Sequence, residues 1–149
     1  NVDIKDLAET INETYYIEKH RKLMEIGEIA ERIVLDSEIE FLKSDFPELA
    51  EKVRLVSNNP QLGFDILSFE TDGKQKQIEV KAISHNGNVK SFIITRNEFS
   101  KSKTYSNYYV YCVVGINSDN PEILRIKNPD FDNNDDFLME PLTYRIIFE

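Results

Sequence analysis

The stretch "GFDILSFETDGKQKQIEVKA", residues 63 to 82, carries Asp65, Glu79 and Lys81 inside two apolar runs. Charged side chains are seldom buried unless they are paired or bind a metal. Side chains alternate along a strand, so Ile78, Val80 and Ala82 face one way while Glu79 and Lys81 face the other. Asp72-Gly73 between the runs tolerates the positive φ of a tight hairpin, and folding back there sets Asp65 opposite the end of the second strand. Two carboxylates brought together repel, and a divalent cation between them relieves the repulsion. A salt bridge from Lys81 on a partly exposed sheet face accounts for part of the same pattern. Glu31, about 100° from the centre of a helical apolar stripe, is a boundary residue able to reach a cleft rim.

The elements that must hold these groups follow from periodicity. In "VDIKDLAETINETYY" the apolar residues recur at three and four, which predicts an amphipathic helix. A second helix carries the stripe Leu23, Ile26, Ala30, Ile33, Val34 and Phe41 and ends near Pro47, with Glu25, Glu28, Glu38 and Glu40 on its solvated face. Residues 53–57, 64–70, 77–83 and 91–95 are short, β-branched or aromatic, and separated by turn chemistry, so they predict an antiparallel meander. His85 falls in the "HNGN" turn, and His20 at a helix end. Thr95 with Glu98 three residues on makes a capping box at the start of a helix. "YYVYCVVGI", 108–116, is the longest apolar run and reads as a central strand. "EILRI" and "TYRIIF" add two short strands around an acidic loop. The order predicts one domain of α/β class: an α+β mixed sheet, centrally placed and flanked by helices.

A chain of 149 residues buries about two-thirds of its unfolded surface, enough for a core without disulfides. Cys112 is the only cysteine, so no intrachain disulfide or thiolate metal site is possible, and a reducing, cytoplasmic setting is expected. No stretch approaches the roughly 18 apolar residues of a membrane helix, so no membrane partner is expected. The net charge of −9 argues against a nucleic-acid partner until its distribution is considered. Residues 74–103 hold seven basic residues against two acidic ones, while 130–149 hold six acidic against one basic.

"GEIAERIV", "GFDILSF", "IEVKA" and "FIITRNE" together resemble the DUF3883 domain found at the C-terminus of plant NO VEIN-type proteins and in prokaryotic restriction and antiphage proteins, over residues 22 to 115. That domain is placed in the PD-(D/E)xK nuclease superfamily, so the resemblance implies a restriction-endonuclease-like core and metal-dependent hydrolysis of DNA phosphodiesters. Carried over, the helix glutamate is Glu31, the motif aspartate is Asp65 and the (D/E)xK pair is Glu79 and Lys81. Phe64-Asp65 stands where the superfamily has Pro-Asp. The resemblance further implies Mg²⁺ or Mn²⁺ held by Asp65, Glu79 and the Val80 carbonyl, with Glu31 at a second metal or its hydration shell. Lys81 then orients the attacking water or stabilises charge on the phosphoryl oxygens. Lys74, Lys90, Arg96, Lys101 and Lys103 become the candidates for phosphate contacts. The competing expectation is a nuclease-fold binding or sensor module without activity, working as a homodimer or inside a larger defence protein from which this chain is excised.

Overall fold

The computed structural model describes the backbone of residues 4–149, and all of their side chains except those of residues 4–14, Tyr16, His85 and Asn86. The two expected helices are one, α1 (Ile4–Lys43). Gly27 is the sole glycine in that span and no proline interrupts it, so nothing in the chain breaks the hydrogen-bond ladder. The side chains of the first predicted stripe lie outside the described residues apart from Tyr15, which is exposed. After α1 come a short helix α2 (Pro47–Ala50), strand β1 (Arg54–Leu55), a single 3-10 turn at Pro60–Leu62, and strands β2 (Ile66–Phe69) and β3 (Gln75–Ala82). Strands β4 (Ser84–Asn86) and β5 (Val89–Ser91), helix α3 (Arg96–Thr104) and strands β6 (Tyr108–Val114) and β7 (Glu122–Lys127) complete the order.

Five strands form one mixed sheet in the order β1-β2-β3-β6-β7, flanked by helices. β1, β2 and β3 are antiparallel neighbours, with Ile66 opposite Ile78 and Phe69 opposite Gln75 across the Asp72-Gly73 hairpin. The meander stops there. β3 pairs in parallel with β6, Glu79 opposite Val110 and Lys81 opposite Cys112. A parallel pair needs a crossover, and α3 supplies it. The expected fourth strand therefore contributes only Ser91 to a strand, β5, in a separate two-stranded hairpin with β4 that places His85 in β4 rather than in the turn. β6 is central as expected, with β7 antiparallel on its other side. "TYRIIF" forms no strand; residues 142–148 carry no regular structure and their large apolar side chains are exposed.

One face of the sheet is covered by α1 through Ala30, Val34, Leu35 and Leu42, which pack on Ile66, Ile78 and Val80. Leu23 and Phe41 were expected in that stripe and are exposed, Phe41 by 64%. The buried row Ala30, Val34, Glu38, Leu42 recurs every four residues and so drifts about 40° per step, which turns Phe41 outward and Leu42 in. Glu38, expected in solvent, is 2% exposed. Its Oε2 lies 2.7 Å from Lys76 Nζ of β3 and accepts from Ser68 Oγ of β2 at 2.6 Å, while Oε1 accepts from Tyr111 OH of β6 at 2.8 Å. One carboxylate thus ties α1 to three strands, and every charge in the cluster has a partner.

A buried pair broken on one side leaves an uncompensated charge. Lys76→Ala is expected to lower unfolding free energy by about 3–5 kcal/mol, whereas Glu38→Leu with Lys76→Met recovers most of the loss, both read from urea denaturation. Equal stability of Lys76→Ala and the native chain would contradict the pairing.

Candidate metal and phosphate site

The opposite face of the sheet carries the groups singled out by spacing. Glu79 and Lys81 project from β3, Asp65 immediately precedes β2, and α3 crosses beside them. Asp65 is held by three bonds: its N–H donates to the Ile78 carbonyl at 2.9 Å, its carbonyl accepts from Val56 N–H at 2.7 Å, and Oδ2 accepts from Val80 N–H at 2.8 Å. The N–H and carbonyl of a strand residue point to the same edge, so Val80 also turns its carbonyl toward Asp65. Lys81 Nζ lies 2.9 Å from Glu79 Oε1 and 2.7 Å from Glu98 Oε2.

Glu98 is the member that spacing assigned to helix capping alone. Its Oε2 does accept from Thr95 N–H at 2.9 Å, and Glu98 N–H donates to Thr95 Oγ1, so the capping box is formed. The same oxygen also holds Lys81. The first turn of α3 is thereby fastened to β3 by the residue that starts the helix.

The loop presenting Asp65 is propped from below by tyrosines. Tyr108 OH donates to the Gly63 carbonyl at 2.7 Å and Tyr105 OH to the Leu62 carbonyl at 3.1 Å. Their rings stack 6.2 Å apart, and Phe64 meets Tyr105 edge-on at 5.3 Å. Gly63 has φ of +71°, and a Cβ there would lie 2.5 Å from Lys101 Cγ, so only glycine fits.

Three carboxylates, Asp65, Glu79 and Glu98, surround one ammonium here. Glu79 is 3% exposed, and burial, followed by the charge of Asp65, pushes its carboxyl up to about 9 against the opposing pull of Lys81. Burial likewise raises Asp65 to about 6, with Val80 N–H opposing and the charge of Glu31 adding to the rise. For Lys81, burial alone lowers the pKa, but Glu79 and Glu98 more than offset it and the ammonium is held charged. Such an excess of oxygen donors over cations in a half-dry place is a demand for positive charge.

Glu31 stands at the rim. It lines an open groove of about 700 Å³ between α1 and the 55–58 loop, alongside Met24, Arg32, Leu55 and Asn58. Its Oε2 accepts from Ser57 Oγ at 2.9 Å, and burial raises its pKa, with the Ser57 hydroxyl opposing and Glu28 adding. Among the described residues no three His, Cys, Asp or Glu side chains converge closely enough to enclose an ion. The donors at hand are the Asp65–Glu79 pair and the Val80 carbonyl. That set suits Mg²⁺, which keeps several waters and takes one or two carboxylates.

The five candidate phosphate contacts do not share one surface. Lys90 of β5 and Arg96 of α3 are exposed, in the segment that follows the Glu79–Lys81 end of β3. Lys101 lies over Gly63, with Nζ 5.9 Å from the Tyr105 ring centre. Lys103 pairs with Asp132 at 2.5 Å and is thereby committed. Lys74 sits in the β2–β3 turn, five residues and so roughly 16 Å of strand from Glu79, at the wrong end of the sheet.

A family model described as Protein NO VEIN, C-terminal, matches residues 30–126, a span that contains Glu31, Asp65, Glu79, Lys81 and Glu98. No curated protein and no solved structure matches the chain. No helix among the described residues is long and apolar enough to cross a membrane.

The raised carboxyls fix a pH dependence. Glu79 has an ordinary value of 4.5 and a folded value near 9, so between the two the folded chain holds a proton that the unfolded chain has released. The site's contribution to stability is full below the lower value and is lost as pH rises toward the upper one. Glu79→Gln is therefore expected to melt higher than the native chain at pH 8.5 and to show a flatter profile from pH 6 to 9, measured by calorimetry without divalent cations. A parallel pair of profiles would contradict the assignment.

Proposed function

This chain belongs to the NO VEIN C-terminal family, and we propose that it is a PD-(D/E)xK-type nuclease domain that hydrolyses DNA phosphodiesters with Mg²⁺ or Mn²⁺, in restriction or antiphage defence. The observation that carries this reading is the placement of Asp65 against Glu79 on neighbouring strands, with Lys81 Nζ 2.9 Å from Glu79. Asp65, Glu79 and the Val80 carbonyl are the residues that would hold the ion, and Glu31 would meet its hydration shell from the rim. Bound there, the ion supplies a Lewis acid for a phosphoryl oxygen and a lowered pKa for a water.

The chain's own groups divide the remaining work. Lys81 stays protonated, so it serves as a donor and charge stabiliser and not as a general base. Glu98 and Glu79 grip its ammonium from two sides and fix its direction. The Tyr105 and Tyr108 hydroxyls hold the backbone before Asp65, so the carboxylate is positioned without substrate. A second reading, a binding module that keeps the fold without the reaction, is favoured by the Ser57–Glu31 hydrogen bond, which engages one oxygen of the helix glutamate with a protein partner.

The two readings part on supercoiled plasmid incubated with Mg²⁺ or Mn²⁺. The nuclease reading expects nicking that falls at least about 100-fold in Lys81→Ala and disappears in Asp65→Ala. In the same samples Mn²⁺ should raise the melting midpoint of the native chain and leave Asp65→Ala unmoved, since a ligand of the folded form alone stabilises it. A midpoint shift without nicking selects the binding module, and neither effect rejects the metal site.

A further inference from the structure

Among the described strands, β4 and β5 alone take no part in the five-stranded sheet. Isolated two-stranded hairpins are marginal in water, so one that stands alone needs an anchor, and a reason to be kept. The anchor lies at its base. Ile83 N–H donates to the Val113 carbonyl at 2.9 Å, which continues the β3–β6 pairing up to the hairpin. On the return, Phe92 packs on the core and meets Phe131 with ring centres 5.7 Å apart, and Ile94 packs beside it. Beyond that base the ribbon is bare: every residue from 87 to 91 is exposed, Val89 by 70%. Gly87, with φ of +60°, turns the chain at the tip.

Charge sets this ribbon apart from the rest of the molecule. The chain carries 27 acidic residues, yet none lies between Glu79 and Glu98, a run that holds Lys81, Lys90 and Arg96. The acid-free run begins one residue after a site carboxylate and ends one residue before another. The hairpin therefore follows the Glu79–Lys81 end of β3 as an acid-free ribbon carrying one exposed lysine, Lys90, on an acidic protein.

We propose that the β4–β5 hairpin enters the major groove of double-stranded DNA and reads base edges with Asn88, Val89 and Lys90 while Asp65, Glu79 and Lys81 face the backbone. This rests on the nucleic-acid reading above but not on cleavage. Three residues of strand rise about 10 Å, against a major groove about 8.5 Å deep and 12 Å wide, which admits a two-stranded ribbon. The side chains match base-edge chemistry: an asparagine amide for adenine, an apolar side chain for the thymine methyl, and an ammonium for guanine. Arg96, exposed beside the hairpin's exit, is placed for a phosphate. The deep, narrow major groove of A-form RNA excludes such a ribbon.

The test is fluorescence anisotropy in EDTA with the Asp65→Asn chain, which cannot cleave, and a labelled mixed-sequence DNA duplex. Lys90→Ala should weaken binding and reduce the slope of log affinity against log salt by about one. Asn88→Ala with Val89→Ala should narrow the spread of affinities across a panel of duplexes. Replacing residues 85–90 by Gly-Gly should cost at least tenfold in affinity, with the melting midpoint confirming the fold. The proposal is overturned by failure of the parent to bind duplex at low salt, by unchanged affinity and salt slope in Lys90→Ala, or by equal affinity for an RNA duplex or single strand. Failure of the nuclease reading shows itself separately, as absence of nicking with intact, hairpin-dependent binding.

Discussion

The constraint on which this structure turns is an imbalance of charge: three carboxylates gathered around one ammonium at the start of β2 and the end of β3, largely out of water. Burial first, and the neighbouring carboxylates after it, work against ionising Asp65 and Glu79 in the folded chain and raise both carboxyls. The surrounding elements hold the groups there regardless. The β2–β3 hairpin sets the register, the Tyr105 and Tyr108 hydroxyls brace the loop before Asp65, and the α3 capping box delivers Glu98. Such an arrangement persists where the surrounding packing over-determines it, and perturbed carboxyls of this kind cluster at functional sites.

The sheet offers an internal control. On its other face Glu38 and Lys76 are also buried and also 2.7 Å apart, but there the charges balance one to one and two hydroxyls satisfy the carboxylate. That cluster asks for nothing further; it fixes how α1 lies on the strands. Glu31 is seven residues before Glu38, two helical turns and so about 10 Å along the same face, which carries it past the sheet to the rim near Asp65. A balanced ion pair on one face thus helps to position a residue of the unbalanced cluster on the other.

Much of this was legible in the sequence, and the failures have physical causes. Alternation within "QIEVKAI" and the Asp-Gly turn were enough to bring Asp65 to Glu79 and Lys81, because strand period and hairpin register are local properties. The parallel pairing of β3 with β6 was not, since a crossover is decided by where α3 packs and no short window contains that. Glu38 was read as solvated although it continues the row of Ala30 and Val34, and Lys76 was counted only for its charge although it is in phase with Ile78 and Val80. Type outweighed phase there, and phase was the better guide. Glu98 was hidden by a sufficient explanation: its capping role is real, and only the fold reveals that the same oxygen also holds Lys81.

A cation that satisfies the imbalance competes with the proton that burial favours on Glu79. Calorimetric titration of Mn²⁺ into the chain at pH 7.5, repeated in buffers of different ionisation heat, counts that proton. The account predicts release of roughly one proton per ion bound, abolished together with binding in Asp65→Ala. Binding with no proton released, or binding that survives the loss of Asp65, would contradict it.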